Sequence, residues 1–157
     1  MTVHVATSPD VVSIIQREPQ EALVVDIEGP TAEMPRMMAD AFGRTAAAVE
    51  SAGATFAGPP FARYHSFGEV VRAEVGFPFL GRVEPPVGPL RIVELPGGRA
   101  VTTTHVGPYD KLGEAWERAQ AWMAERKLVA SGPPWECYLT DPETPGPPVT
   151  EVVMPIR

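Results

Sequence analysis

The stretch that decides the fold covers residues 101–141, where TTTHVGPYD (102–110) is followed by a long amphipathic run and then by SGPPWECYLTD (131–141). This order predicts a strand, a Gly-Pro turn, a helix over about residues 109–128, a second turn and another strand. The helix is indicated by apolar residues that recur on one face, and these are Leu112, Ala115, Trp116, Ala119, Trp122 and Met123. One carboxylate, that of Glu136, stands among aromatic residues in the last strand.

The earlier part of the chain repeats this plan. The matching features are Gly29-Pro30 with Gly107-Pro108, 78 positions apart, Gly58-Pro59-Pro60 with Gly132-Pro133-Pro134 and Tyr64 with Tyr138, each 74 apart, and Glu74 with Glu151, 77 apart. Matching turns, helix and closing strand at nearly constant offset favour two structural copies over isolated coincidences. We place the copies at about residues 11–79 and 90–156, and a linker rich in proline and glycine at about 80–89.

The first copy is predicted to contain strands over residues 11–18, 22–28, 61–66 and about 69–79. A helix precedes the last two and ends near residue 51. Thr31 is a candidate cap for that helix, and Gly53 is placed to stop it. Pro19 either bends one strand or separates two. The second copy has strands over residues 90–95, 100–106, 135–140 and 149–156.

Two copies of a strand-helix-strand-strand module predict one α+β domain over residues 1–157. It would hold two antiparallel sheets, each with a helix on one face. A near-twofold relation between the copies would leave a central groove, and grooves between modules are favoured ligand sites.

Composition narrows the class of function. A net charge of −7 argues against direct binding of nucleic acid, because contact with phosphates needs clustered Lys and Arg. A single Cys excludes an internal disulfide and fits a cytoplasmic protein, and nothing resembles a signal peptide. No apolar run approaches the roughly 20 residues that span a bilayer, so no membrane association is expected.

Metal and cofactor sites are not expected. The three histidines His4, His65 and His105 do not fall at a metal-ligand spacing, and one Cys makes no zinc pattern. The sequence also lacks the G-x-S-x-G motif that marks a serine nucleophile.

Four motifs together resemble a known family. They are HVGPY at residues 105–109, two tryptophans six positions apart in the helix, GPPWECY at 132–138 and EVVMPI at 151–156. This set resembles the GyrI-like small-molecule-binding domains, which also form the effector-binding domain of multidrug-responsive MerR-type and some AraC-type regulators. SOUL haem-binding proteins are more distant in resemblance and would imply haem ligation by His65 or His105. Since no helix-turn-helix precedes the module, a stand-alone form is expected.

The resemblance implies binding of a bulky, aromatic and often cationic compound in the central groove, with a glutamate at the place of Glu136. A first alternative is a hydrolase of the same family that opens strained cyclopropane rings of DNA-alkylating compounds, with Glu136 as general base. A second alternative is a protein that binds a macromolecular partner such as a topoisomerase. Whether the chain is an enzyme stays open at this point.

Five residues are candidates for the site. Because side chains alternate along a strand, Glu136 and Tyr138 share one face, and they face the groove if Trp135 and Cys137 pack under the helix. Tyr64, Tyr109 and Trp116 are the other candidates, since flat rings suit polycyclic ligands and hold cations over their faces. Core packing is the alternative for Tyr64, Tyr138 and Trp116. For Tyr109 the alternative is a packing contact that staples the start of the helix, and for Glu136 it is an exposed position on an edge strand. Glu74 and Glu151 are expected to be exposed.

Overall fold

The computed structural model describes residues 10–84, 88–141 and 143–157. Its elements are, in chain order, β1 (Ser13–Arg17), β2 (Gln20–Pro30), α1 (Met34–Ser51), β3 (Thr55–Phe56), β4 (Phe61–Ser66), β5 (Val70–Leu80), β6 (Leu90–Leu95), β7 (Gly98–Val106), α2 (Leu112–Glu125), β8 (Trp135–Tyr138) and β9 (Val149–Pro155). The chain is therefore α+β, as the sequence predicts, and β3 is a short strand that the sequence did not predict. Residues 1–9, the middle of the expected linker and residue 142 lie outside the described residues.

The chain forms two compact units. The first unit is Pro19–Leu95, and the second unit is Pro96–Arg157 together with β1. The first unit has the antiparallel strand order β4-β5-β2-β6, with β3 beside β5, and the second has the antiparallel order β1-β7-β9-β8. In the first unit α1 packs on β2 and β5, and in the second α2 packs on β7 and β9. Each unit is thus an antiparallel sheet with one helix.

The first strands of the two sequence halves are exchanged between the units. β1 precedes β2 in the chain but pairs with β7, whereas β6 precedes β7 but pairs with β2. Pro19 therefore separates two strands, which is consistent with its lack of an N–H donor for a sheet. The compact units consequently differ from the sequence halves at their first strands.

The central strands of both sheets are buried on both faces. In β2 the consecutive residues Leu23, Val24 and Val25 are all buried, and β5 contains a similar unbroken run. On the helix side of the first unit, Leu23 packs with Val49 of α1 and Phe79. Burial on both faces explains why these strands carry continuous apolar runs rather than simple alternation.

The start of α1 differs from the sequence prediction. Thr31 is not a helix cap: it begins a 3-10 turn, Thr31–Glu33, and its hydroxyl donates to the carbonyl of Gly68 at 3.0 Å. The helix proper begins at Met34, and Pro35 lies in its first turn, where a backbone N–H has no helical partner. The predicted stop is confirmed, because Gly53 has φ +72° immediately after the helix.

Gly76 permits a close approach of two strands. It lies in β5 opposite Val24 of β2, and a Cβ atom built at this position would overlap the carbonyl oxygen of Leu23. The obstacle is backbone rather than a flexible side chain, so an added methyl group must displace the strand itself.

We expect Gly76→Ala to lower the free energy of unfolding by about 1–3 kcal/mol through this overlap. Gly43→Ala is the matched control, because nothing lies within 4 Å of a Cβ at Gly43 in the helix interior. The control should gain about 0.5–1 kcal/mol from helix propensity. Urea unfolding of the three proteins measures both changes, and an unaltered Gly76→Ala midpoint would refute the close approach.

Candidate functional site

The pairing of β8 with β9 decides which way Glu136 points. Glu136 lies opposite Val152, and Val152 belongs to the apolar cluster that packs against α2. Directly opposed residues share a face, so Glu136 lies on the helix side of the sheet. Trp135 and Cys137 lie on the other side of the sheet. They do not pack under the helix, so the condition for Glu136 and Tyr138 to face a groove on the opposite side is not met.

Two neutral donors hold the Glu136 carboxylate. The indole Nε1 of Trp116, on α2, donates to Oε2 at 2.9 Å, and the hydroxyl of Tyr138 donates to Oε1 at 3.0 Å. Glu136 is only 4% exposed. One of these hydrogen bonds reaches each carboxylate oxygen. The carboxylate therefore has a defined orientation at a contact between helix and sheet.

Tyr109 adds an exposed ring to this group. Its ring meets that of Tyr138 edge to face, with centroids 6.2 Å apart at 80°, and Tyr109 is 54% exposed. The turn that places Tyr109 needs Gly107, which has φ +141°, and it is braced by His105, whose Nε2 lies 3.0 Å from the carbonyl oxygen of Pro108. The sequence did not show this structural contact of His105.

The structure thus brings four of the five candidate residues together in the second unit. Tyr109 contacts Tyr138, and Tyr138 and Trp116 both donate to Glu136. The fifth candidate, Tyr64, lies on β4 in the first unit, where its ring meets Phe67 edge to face at 5.5 Å and 83°. Phe67 was missed in the sequence because a lone aromatic in a turn has no periodic signal.

Glu74 and Glu151 are buried, which contradicts the expectation that they are exposed. Glu74 is 2% exposed and Glu151 is 0% exposed, and each lies within the last strand of its sequence half, β5 or β9. Their polar identity suggested a solvated face, but both faces of these strands are covered. The two glutamates occupy equivalent places, since Glu74 lies opposite Arg63 and Glu151 lies opposite Cys137.

Glu74 belongs to a charge cluster on the face of the first sheet that lies away from α1. Arg63 and Arg91 each reach one of its oxygens at 2.5 Å, His65 Nε2 lies 2.9 Å from Oε1, and Arg91 also binds Asp26 at 2.8 Å. Burial alone would raise the pKa of Glu74, but hydrogen bonds from Arg63, His65 and Arg91 outweigh it and lower the pKa below 4.5. The cluster is a compensated network that fits a structural role.

Cys137 is an unreactive thiol on the opposite face from Glu136. It is buried, and burial together with the nearby charge of Glu151 raises its pKa to about 12. Since the thiolate is the nucleophile, a thiol with so high a pKa does not serve as one near neutral pH.

Across residues 10–84, 88–141 and 143–157, no three His, Cys, Asp or Glu side chains are arranged to hold a metal ion. In the same described part of the chain, neither helix is long and apolar enough to cross a membrane.

A known protein family matches nearly the whole chain. The family model for the GyrI-like small molecule binding domain matches residues 11–157. The chain belongs to the GyrI-like family. Comparison with curated protein sequences finds no match.

Solved structures share the fold of this GyrI-like chain at low sequence identity. EcmrR, in an EcmrR–DNA complex, is 18% identical with a TM-score of 0.74, covering 94% of this chain and 57% of EcmrR, so this chain spans little more than half of that protein. The isolated C-terminal domain of EcmrR is 19% identical over 94% of this chain and 96% of that domain, with a TM-score of 0.72.

The names of two further solved structures mention a ligand or an activity. SAV2435 bound to tetraphenylphosphonium is 13% identical over 94% of each chain, with a TM-score of 0.62. A hydrolase from Listeria innocua is 14% identical over 96% of this chain and 94% of that one, with a TM-score of 0.64. At such identities the likeness shows a shared GyrI-like fold.

The charge cluster of the first unit leads to a prediction on pH. Because the folded pKa of Glu74 is lowered from 4.5, its stabilising contribution is complete above that value and is lost as the pH falls through the folded pKa. We expect Glu74→Gln to lower the free energy of unfolding at pH 7 by about 3–5 kcal/mol, because it leaves buried arginine charge uncompensated. The variant should also lose part of the wild-type decline in stability between about pH 5 and pH 3.

Glu33→Gln is the matched control for this experiment. It makes the same change in an ion pair with Arg36, whose two side chains are 48% and 75% exposed. The control should alter stability by no more than about 1 kcal/mol. Denaturant unfolding at a series of pH values compares the variants, and parallel pH profiles for wild type and Glu74→Gln would contradict the assignment.

Proposed function

We propose that the chain binds a bulky, aromatic and positively charged small molecule, with Glu136 as the polar anchor. The ring contacts would come from Trp116, Tyr138 and Tyr109. Membership of the GyrI-like family supports small-molecule binding in general. The observation that carries the finer proposal is the Glu136 carboxylate, 4% exposed and held by an indole N–H and a phenol hydroxyl.

The chemistry of these donors favours a cationic ligand. An indole N–H and a phenol hydroxyl are neutral, so their hydrogen bonds orient the carboxylate and leave its charge in place. A charge in a poorly hydrated environment interacts strongly with an opposite charge. The faces of Trp and Tyr rings attract cations in addition. The net charge of −7 favours the approach of a cation from solution.

Tyr109 is the ring that a ligand would meet first. It is more than half exposed, and only its edge-to-face contact with Tyr138 is described. Such a contact contributes about 0.5–1.5 kcal/mol, so an aromatic ligand can replace it at small cost. The shared fold of SAV2435, which was solved with tetraphenylphosphonium, supports this class of ligand and suggests a first compound to test.

We expect tetraphenylphosphonium to bind at micromolar concentration, and Glu136→Gln to weaken binding about 10- to 100-fold through loss of the charged partner. Isothermal titration calorimetry measures the affinity. Glu117→Gln is the matched control, because it removes one exposed negative charge from the neighbour of Trp116 on α2. Triphenylphosphine oxide, which is uncharged, should bind the wild type and Glu136→Gln alike. Equal affinity of wild type and Glu136→Gln for the cation would refute the anchor.

A second candidate function is hydrolysis, favoured by the Tyr138 hydroxyl 3.0 Å from Glu136. In this mechanism Glu136 accepts a proton from the water that attacks a strained ring carbon. Tyr109, or Tyr138 once its hydroxyl turns away from Glu136, donates a hydrogen bond to the conjugated carbonyl oxygen that becomes negatively charged as the ring carbon–carbon bond breaks. The proton held by Glu136 then passes to that oxygen, so the product has gained one water. Removal of a general base lowers rates by about 100- to 10,000-fold.

The hydrolase candidate predicts turnover of a cyclopropane-bearing alkylating agent, with the ring-opened product gaining one water. Mass spectrometry of the product over time measures it. Glu136→Gln should abolish turnover, whereas Glu117→Gln should retain it. Stoichiometric binding of such a compound without product would leave binding as the function and exclude hydrolysis of that substrate.

A further inference from the structure

The two units have the same strand pairing at the strand that carries Glu136. In the second unit Trp135, Glu136 and Tyr138 lie opposite Val153, Val152 and Thr150. In the first unit Phe61, Ala62 and Tyr64 lie opposite Gly76, Val75 and Ala73. Every one of these pairs keeps an offset of 74 on the first strand and 77 on the second. Ala62 is therefore the counterpart of Glu136, and Tyr64 is the counterpart of Tyr138.

The helices extend this equivalence. α1 begins at Met34 and α2 begins at Leu112, and buried alanines follow seven residues later in each, at Ala41 and Ala119. The same offset of 78 makes Met38 the counterpart of Trp116. Glu136 and its two hydrogen-bond donors, Tyr138 and Trp116, thus each have a counterpart in the first unit.

An exposed aromatic ring completes the comparison. In the second unit Tyr109 meets Tyr138 edge to face, and in the first unit Phe67 meets Tyr64 at 5.5 Å and 83°. Phe67 comes from the turn between β4 and β5 rather than from the helix start, and it is 73% exposed. Each unit therefore has an aromatic ring packed edge to face on the equivalent tyrosine. The two rings come from different segments of their units.

The two units differ in polarity at the positions of Glu136 and Trp116. Ala62 is apolar where Glu136 is a carboxylate, and Met38 is apolar where Trp116 donates a hydrogen bond. The nearest charged residue on β4, Arg63, lies on the opposite sheet face, where it binds Glu74. At this place the helix-facing side of the first unit presents the aromatic ring of Tyr64 and the thioether of Met38. Ala62 provides no charged partner for a cation.

We propose that Phe67, Tyr64 and Met38 form a second ligand subsite, selective for an uncharged aromatic ring system. This proposal rests on the proposed function in its comparison with Glu136, although its ligand differs in charge. Flat rings pack on Tyr and Phe in stacked or edge-on arrangements, and methionine adapts to varied apolar shapes. With Ala62 in place of a carboxylate, nothing at this subsite offsets the cost of taking a positive charge out of water, so an uncharged ring system is favoured.

The test uses two probes on the full chain: Nile red, an uncharged fused-ring dye, followed by fluorescence, and tetraphenylphosphonium, followed by calorimetry. Phe67→Ala should weaken Nile red binding about three- to tenfold, the value of one aromatic contact. It should leave the cation affinity within about twofold, since the sites act separately. Glu136→Gln should do the reverse. Phe67 is exposed, so its replacement does not threaten folding.

Leu80→Ala is the matched control for nonspecific dye binding, because Leu80 is another exposed apolar residue of the first unit, at 42%. It should change neither affinity. As a direct readout, Nile red should shift the methyl NMR signals of Met38 and Ala62. Nile red binding that ignores Phe67→Ala, or that is lost with Glu136→Gln, would overturn the subsite. If the cation fails to bind but Nile red depends on Phe67, the cation-binding function fails and this subsite stands.

Discussion

The antiparallel register of each sheet is the constraint on which the other features depend. Because side chains alternate along a strand, the pairing of Glu136 with Val152 places the carboxylate beneath α2, and it places Cys137 beside Glu151 on the other face. A slip of one residue would exchange these faces, remove the acceptor of the Trp116 indole and bury a carboxylate among unrelated neighbours. Register therefore determines both the packing of the helix and the chemistry of the candidate site.

The two units show how one framework carries different chemistry at equivalent places. Where the first unit has Arg63 opposite its buried glutamate, the second has Cys137, a small neutral group. Where the second unit has Glu136 on the helix side, the first has Ala62. The Glu74 cluster thus lies on the face away from its helix, and the Glu136 group lies against its helix, although both units keep a buried glutamate on the face away from the helix, at Glu74 and Glu151.

The sequence predicted the helices and most strands to within a few residues because their apolar periodicity is strong. It did not predict the exchange of β1 and β6, since a short strand shows its own face pattern and not its partner. It also failed at Glu74 and Glu151, where acidic identity suggested solvent but both strand faces are covered. The Thr31 cap failed because the chain inserts a 3-10 turn that only tertiary contact with Gly68 explains. At the site, motif and alternation identified Glu136 and Tyr138, whereas the reach of Trp116 to the carboxylate depends on helix placement.

Glu74 and Glu136 are nearly equally buried, at 2% and 4%, and their donors distinguish their roles. The groups that reach Glu74 include two arginines, which compensate its charge and make further recognition of a cation unfavourable. The donors described at Glu136 are an indole and a phenol, which satisfy oxygen lone pairs and carry no charge themselves. Maintaining an ionised carboxylate among rings costs stability that a leucine at the same place would not. That cost is readily understood under the proposed function, in which the carboxylate meets a cationic aromatic ligand, so the nature of the donors, more than burial itself, is the reason for proposing Glu136 as the anchor.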